Sequence, residues 1–254
     1  MENKRDMLGK GLHVLTHLGD HPDGVSVSEL ARETGLPVST THRLLATLVA
    51  DGYAAVDSGT HLYRVALRVF ELSQKAAATW GSTRVREELT AMTEETGESA
   101  LMGAIDGTEF VYLEHVEGPH RVRVKGNLGT RGPLHCTALG KLLLAVQPAG
   151  ERDRILDELT LTRYTPTTIT TMPRLREELH VTAERGYAVT DQEYEPEIRS
   201  IAVPVTAAEQ LGSTIAVCLT APVYRTSLDR LRDWLPVLRE TGRKIALYRP
   251  GGHR

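Results

Sequence analysis

Apolar residues at 7, 8, 12, 14, 15 and 18 fall mostly on one face of a 3.6-residue repeat, so residues 7–18 read as a first helix. Asp20-His21-Pro22-Asp23-Gly24 ends it with turn chemistry. Ser26-Val27-Ser28-Glu29 has the form of a capping box, in which a hydroxyl and a carboxylate three residues apart satisfy free helix amides reciprocally. The short helix it opens stops at Gly35, which suits a left-handed position. Pro37 opens another helix, where its missing N–H costs nothing, and Gly52 ends it after Asp51. Residues 53–56 and 62–65 are strand-like runs joined by the turn Asp57-Ser58-Gly59-Thr60. Val65, Val69, Leu72 and Ala76 then share a helical stripe as far as Thr79, and Trp80-Gly81-Ser82 breaks it.

Beyond that break the pattern alternates. Residues 83–95 form an expected helix with Val85, Leu89 and Met92 inward. Expected strands cover 100–105, 109–116 and 121–125, followed by helices at 137–146, 151–159 and 174–185. Strands at 187–190, 198–205 and 213–219 come next, and 227–247 reads as one long helix with a kink at Pro236. This order predicts two domains. Residues 1–65 form a winged helix-turn-helix, mostly α with a β-hairpin wing. Residues 66–81 form a linker helix, and 82–254 form an α/β (α+β) domain with a largely antiparallel sheet.

The chain of 254 residues is 41% apolar and 25% charged, an ordinary globular composition. No run approaches the roughly 18 apolar residues of a membrane helix. The polar start Met1-Glu2-Asn3-Lys4-Arg5-Asp6 has no apolar segment behind it, so no secretory signal is expected. Only two cysteines, Cys136 and Cys218, suggest a reducing compartment and hence the cytoplasm. A net charge of −3 does not advertise a nucleic-acid binder. Residues 1–80 hold eight Lys+Arg against nine Asp+Glu, so a DNA reading must rest on pattern and local charge.

The pattern supplies one. Two helices joined by Thr34-Gly35-Leu36-Pro37 have helix-turn-helix spacing, and Ala31 is small enough for a close crossing. On the second helix Thr41, Leu44, Leu45 and Leu48 form an inward stripe, leaving Ser39, Thr40, His42 and Arg43 outward near the end that enters a major groove. Residues 36–50 contain no acid. Hydroxyls can approach phosphates or base edges, and Arg43 can fork onto guanine or phosphate. On the wing, His61 and Arg64 are candidate phosphate or minor-groove contacts. Double-stranded operator DNA is the expected partner.

Three motifs carry a family resemblance. Leu36-Pro37-Val38-Ser39-Thr40-Thr41-His42-Arg43-Leu44-Leu45 followed by Gly52-Tyr53 is similar to the IclR regulators. So are Pro133-Leu134-His135-Cys136-Thr137-Ala138-Leu139-Gly140-Lys141 and Arg199-Ser200-Ile201-Ala202-Val203-Pro204-Val205. The resemblance spans essentially the whole chain. It implies a GAF-like effector domain, homodimers that also pair into dimers of dimers, and action on palindromic operators as repressor or activator. The implied effector is a small organic or aromatic acid. The resemblance places its pocket at Ala138 and Leu139, at Asp191-Gln192-Glu193 and at Ser200, where some relatives carry Cys; some also carry Gly at the position of Glu197.

Independently, Thr137 begins a helix whose free amides would hold a carboxylate without a lysine. Leu101, Met102 and Ile198 are apolar wall candidates. His135 is either a ligand contact or a structural histidine bonded to a carbonyl, and Cys136 reads as a buried small hydrophobe. Asp191 and Glu193, two apart, would share a face on a strand, or they are solvated loop charges. Tyr112, Tyr187 and Tyr194 read as core or rim. An enzyme would need His135 and Cys136 as base and nucleophile with Asp191 orienting, but adjacent residues on an extended segment seldom face each other. There is no Gly-rich phosphate loop, G-x-S-x-G elbow or H-E-x-x-H motif, so neither catalysis nor a cofactor is expected. A metal held by His135, Cys136, Asp191 and Glu193 would lack local ligand spacing.

Overall fold

The computed structural model describes residues 6–79, 82–121, 128–205 and 214–248. It divides into two compact units, Met1–Ala78 and Thr79–Arg254. In the first, helices α1 (Met7–Gly19), α2 (Val27–Thr34) and α3 (Val38–Ala50) precede strands β1 (Ala54–Val56) and β2 (Tyr63–Val65), and α4 (Leu67–Thr79) follows. Val14, Leu18, Leu30, Leu44, Leu45 and Ala54 close a small core between them.

The helix ends show which sequence signals hold. Ser26 Oγ accepts the Glu29 amide at 3.2 Å, but the Glu29 carboxylate turns to Arg32 at 3.5 Å, so the expected capping box is one-sided. Gly35 adopts φ +67°, and the amides of Gly35 and Leu36 close onto the Arg32 and Ala31 carbonyls. A side chain is strained at that φ, which is why glycine ends the helix. Pro37 is the N-cap of α3 rather than its first residue, so the helix begins at Val38, one residue later than expected, because the Pro37 ψ of 141° is extended. Val25 adds an isolated bridge to Tyr63, steadying the wing in a way no local pattern announces.

The second unit begins with α5 (Ser82–Thr96) and the strands β3 (Ser99–Asp106), β4 (Glu109–Val116) and β5 (Arg131–Pro133). Then come α6 (Ala138–Ala145), α7 (Ala149–Glu158) and α8 (Met172–Arg185), strands β6 (Ala188–Asp191), β7 (Ile198–Pro204) and β8 (Ile215–Pro222), and helices α9 (Leu228–Asp233) and α10 (Leu235–Leu247). One six-stranded sheet has the order β5-β4-β3-β8-β7-β6, and every neighbouring pair is antiparallel. Strand alternation splits its side chains between two cores. Leu101, Ala188, Ala202, Ala216 and Cys218 pack with α6, α7 and α8. Met102, Ile201, Val203, Val217 and Leu219 pack with α5, α9 and α10.

Two expectations change here. The long helix expected over 227–247 is two helices meeting at Trp234, and Pro236 lies in the first turn of the second, where a missing amide is tolerated. Residues 122–127 lie outside the described residues, and with them most of the strand expected at 121–125; one edge of the sheet is β5, which the sequence pattern did not indicate. Among the described residues no helix is long and apolar enough to cross a membrane.

Candidate nucleic-acid interface and ligand cavity

The candidate reading surface is built from α3. Thr41, Leu44 and Leu45 are buried on its inner face, and the Thr41 hydroxyl donates to the Pro37 carbonyl at 3.2 Å. That fixes the helix rotation and leaves Ser39, His42 and Arg43 exposed and Thr40 half-buried. Among the described residues the Arg43 guanidinium reaches only the Met7 sulfur, at 4.0 Å. At the wing, Asp57 Oδ1 accepts from the amides of Gly59 and Thr60 at 3.0 and 2.7 Å and from the Thr60 hydroxyl at 2.9 Å. Bonds from the Thr60 amide and hydroxyl, and then from Gly59, hold its carboxyl below the ordinary aspartate range. His61 stands at φ +57° beyond this turn and is exposed, as is Arg64 on β2.

The cavity lies in the second unit, between the sheet and the start of α6, and encloses about 530 Å³ including the solvent at its mouth. Leu101, Phe110 and Tyr112 line it from β3 and β4; Thr190, Ser200, Cys218 and Thr220 line it from β6, β7 and β8. Cys136, Thr137, Ala138 and Leu139 form another side, with Glu193, Tyr194, Glu195 and Ile198 completing the wall. Thr137 is the N-cap of α6, and its hydroxyl accepts the Gly140 amide at 3.0 Å. The first intrahelical bond runs from the Lys141 amide to the Thr137 carbonyl, so the amides of Ala138 and Leu139 precede the ladder and face no helix carbonyl. Gly140 is needed here: a Cβ would lie 2.4 Å from Leu134 Cα.

Of the expected effector residues, Thr137, Ala138, Leu139, Glu193 and Ser200 come together in this lining, whereas His135 and Asp191 lie outside it. His135 is buried with Nε2 against the Thr162 carbonyl at 2.9 Å, the structural alternative. Burial lowers its pKa, and the Thr162 carbonyl pulls the other way. Asp191 ends β6 and is gripped by Arg199 at 2.7 Å, while Glu193 lies beyond the strand after Gln192 at φ +61°. The two carboxylates therefore do not share a strand face. Met102 is also corrected: alternation turns it into the opposite core from Leu101. Burial pushes the Cys136 thiol up to about 12, which keeps it protonated.

Sequence reasoning missed Thr190, Thr220 and Cys218, although a hydroxyl inside an otherwise apolar strand is a visible signal. It also missed Lys141. This side chain is 1% exposed, and its Nζ lies 2.8 Å from Glu193 Oε1 and 3.3 Å from Glu178 Oε1. Arg185 reaches the same Glu178 oxygen at 3.0 Å. Burial raises the Glu193 pKa while the Lys141 ammonium draws it back down. Opposite this network, hydroxyls of Thr165 and Thr168 donate to the Gln192 and Glu193 carbonyls at 2.7 Å each, pinning the segment from both sides.

Comparison with known proteins matches the family model of the IclR helix-turn-helix domain over residues 7–58. The model of the bacterial transcriptional regulator IclR C-terminal region matches residues 82–247. The chain is 32% identical to the HTH-type transcriptional regulator KdgR of Escherichia coli, covering 92% of this chain and 88% of that one. A putative IclR regulator from Silicibacter sp. TM1040 superposes with a TM-score of 0.82 at 26% identity, covering 95% of each chain. The inducer-binding domain of PobR from Acinetobacter, solved as a double mutant with 3-hydroxybenzoic acid, matches at 28% identity with a TM-score of 0.59, covering 65% of this chain and 96% of that one.

Proposed function

The chain belongs to the IclR family of bacterial transcriptional regulators, with a helix-turn-helix unit and a C-terminal effector-binding unit; from that premise we propose which residues read DNA and which hold the effector. Ser39, Thr40, His42 and Arg43 enter the major groove, and His61 and Arg64 contact the flanking backbone. The observation that carries this is the acid-free start of α3, exposed on a helix whose other face is locked into the core. With a net charge of −3, non-specific affinity is modest, so two heads acting together on a palindrome suit the chain. Leu67 and Phe70 on α4 are 79% and 61% exposed, and Leu8 on α1 is 72% exposed, apolar side chains that a second copy would cover.

The effector is a small carboxylic acid whose carboxylate sits on the amides of Ala138 and Leu139, where the dipole of α6 favours negative charge. Every relative named above is a transcriptional regulator, and the thiol of Cys136 stays protonated, which favours sensing over catalysis. The test of the reading face is titration of an operator selected from a randomised duplex library. Arg43→Ala is expected to weaken binding by about 1–3 kcal/mol with an unchanged melting temperature. Equal affinity of wild type and variant over a range of salt would remove Arg43 from the interface.

A further inference from the structure

Histidines recur every four residues along the flank of α1: His13, His17 and, just past its end, His21. That spacing puts His13 and His17 on one helix face, and their rings meet edge to face with centroids 4.3 Å apart. Both residues are half-buried. His17 Nδ1 lies 3.0 Å from the His13 carbonyl oxygen. A carbonyl only accepts, so Nδ1 carries the proton and the lone pair of the neutral ring is left on Nε2. One ring nitrogen tied to a backbone carbonyl, with the other left to coordinate, is the arrangement that metal-ligating histidines adopt. His21 stands apart from this pair, because its Nε2 is held by Glu33 Oε2 at 2.8 Å. Among the described residues no three His, Cys, Asp or Glu side chains gather into a metal cage, so the pair is a two-ligand arrangement.

We propose that His13 and His17 form a two-imidazole clip for a divalent transition-metal ion of the nitrogen-preferring class to which zinc and nickel belong, with water filling its other positions. Two imidazoles four residues apart on a helix is the spacing by which helical metal sites hold zinc. Metal–nitrogen bonds of about 2.0–2.1 Å place the two ring nitrogens about 3 Å apart, which rings already in contact reach by rotating their side chains. Two protein ligands bind less tightly than the four of a structural zinc site, so occupancy follows the metal concentration. The ion ties one turn of α1, whose Val14 and Leu18 lie in the same core as Leu44 and Leu45 of α3. Only the formed helix holds both rings at this distance, so binding stabilises the folded N-terminal unit. The clip is thus a metal-responsive brace behind the helix proposed to read DNA, and it stands independently of the cavity.

The experiment is calorimetric titration of the full chain, stripped of metal with a chelator, with zinc chloride and separately with nickel chloride. One strongest site per chain is expected. Its affinity should fall at least about tenfold in His13→Gln and in His17→Gln, variants that keep a good helix former. It should also fall as the pH is lowered from 8 to 6, because a protonated ring has no lone pair to give. His180 sits four residues from Glu184 on α8, where the two side chains meet at 3.3 Å, and His180→Gln serves as the control that should leave the strongest site unchanged. Saturating zinc should raise the melting temperature of the wild type and leave that of His17→Gln unmoved. Far-ultraviolet dichroism of the metal-free variants, expected to match the wild type, separates a lost ligand from a lost fold; where His17→Gln folds poorly, His17→Phe keeps the ring packing without the nitrogens and should lose the metal equally. Undiminished binding in the α1 variants, a loss only in His180→Gln, or the absence of binding heat with either metal would overturn the proposal.

Discussion

The start of α3 and the start of α6 are both helix N-termini proposed to meet a ligand, yet they are built in opposite ways. At α3 the side chains proposed to read DNA are those the core leaves out: Ser39, His42 and Arg43 stand exposed because Thr41, Leu44 and Leu45 are pulled inward. At α6 every residue from Ala138 to Ala145 is buried, so function falls to backbone amides and to side chains arriving from other elements. A surface that meets a large polyanion can rely on exposed donors. A cup for a small molecule must organise its polar groups inside a dry core, where each unsatisfied one is costly.

That contrast predicts different responses to substitution. The largest effect is expected at Lys141, which is 1% exposed between Glu178 and Glu193. Lys141→Met leaves those two carboxylates without their shared cation and should cost about 3–5 kcal/mol in denaturant unfolding. Adding Glu193→Leu should recover much of the loss. An equal loss from Arg43→Ala, an exposed residue of the reading face, would break the contrast.

Next come the glycines of the two regions. Gly140→Ala drives a methyl against the Leu134 backbone at 2.4 Å and should destabilise by about 1–3 kcal/mol. Gly11→Ala in α1 meets only the Leu44 side chain at 3.8 Å and should stabilise by about 0.5–1 kcal/mol through helix propensity. Thermal melts of the two variants should shift in opposite directions.

The smallest effect concerns pH. Burial sets the folded pKa of His135 below its unfolded value, so protonation is penalised in the fold. Its contribution to stability is present above the ordinary histidine range, begins to fall as pH drops through about 6.5, and is fully lost below the depressed folded value. Glu193 and Glu195, whose pKa values are raised chiefly by burial, act with the opposite sign. Unfolding of wild type and His135→Gln between pH 7 and 5 isolates the histidine: the wild type should lose more stability on acidification. Parallel curves would assign His135 no such role.

The same contrast explains what the sequence made legible. The head is local: a 3.6-residue stripe, a glycine at φ +67° and a proline cap are all written within about twenty residues, so α2, α3 and the outward face follow from them. Even there, the Val25–Tyr63 bridge, between distant positions, was invisible. The cavity is assembled from β3, β4, β6, β7, β8 and α6, whose pairings no spacing reveals. The motif around Thr137 located one side, yet proximity in sequence misled at both ends. His135, two residues from Thr137, points to Thr162, and Asp191, two from Glu193, is taken by Arg199. Lys141 was overlooked because a lysine in a helix is ordinarily solvated, and only the fold puts it between two acids.

A molecule bound in the buried cup is expected to change what the exposed edge of α3 does. Operator affinity measured with and without a saturating acid, chosen from those that bind the full chain, tests it most directly. A shift of about 1–3 kcal/mol is expected, and it should disappear when the cavity no longer takes the acid. Identical DNA affinity in the loaded and empty protein would contradict it.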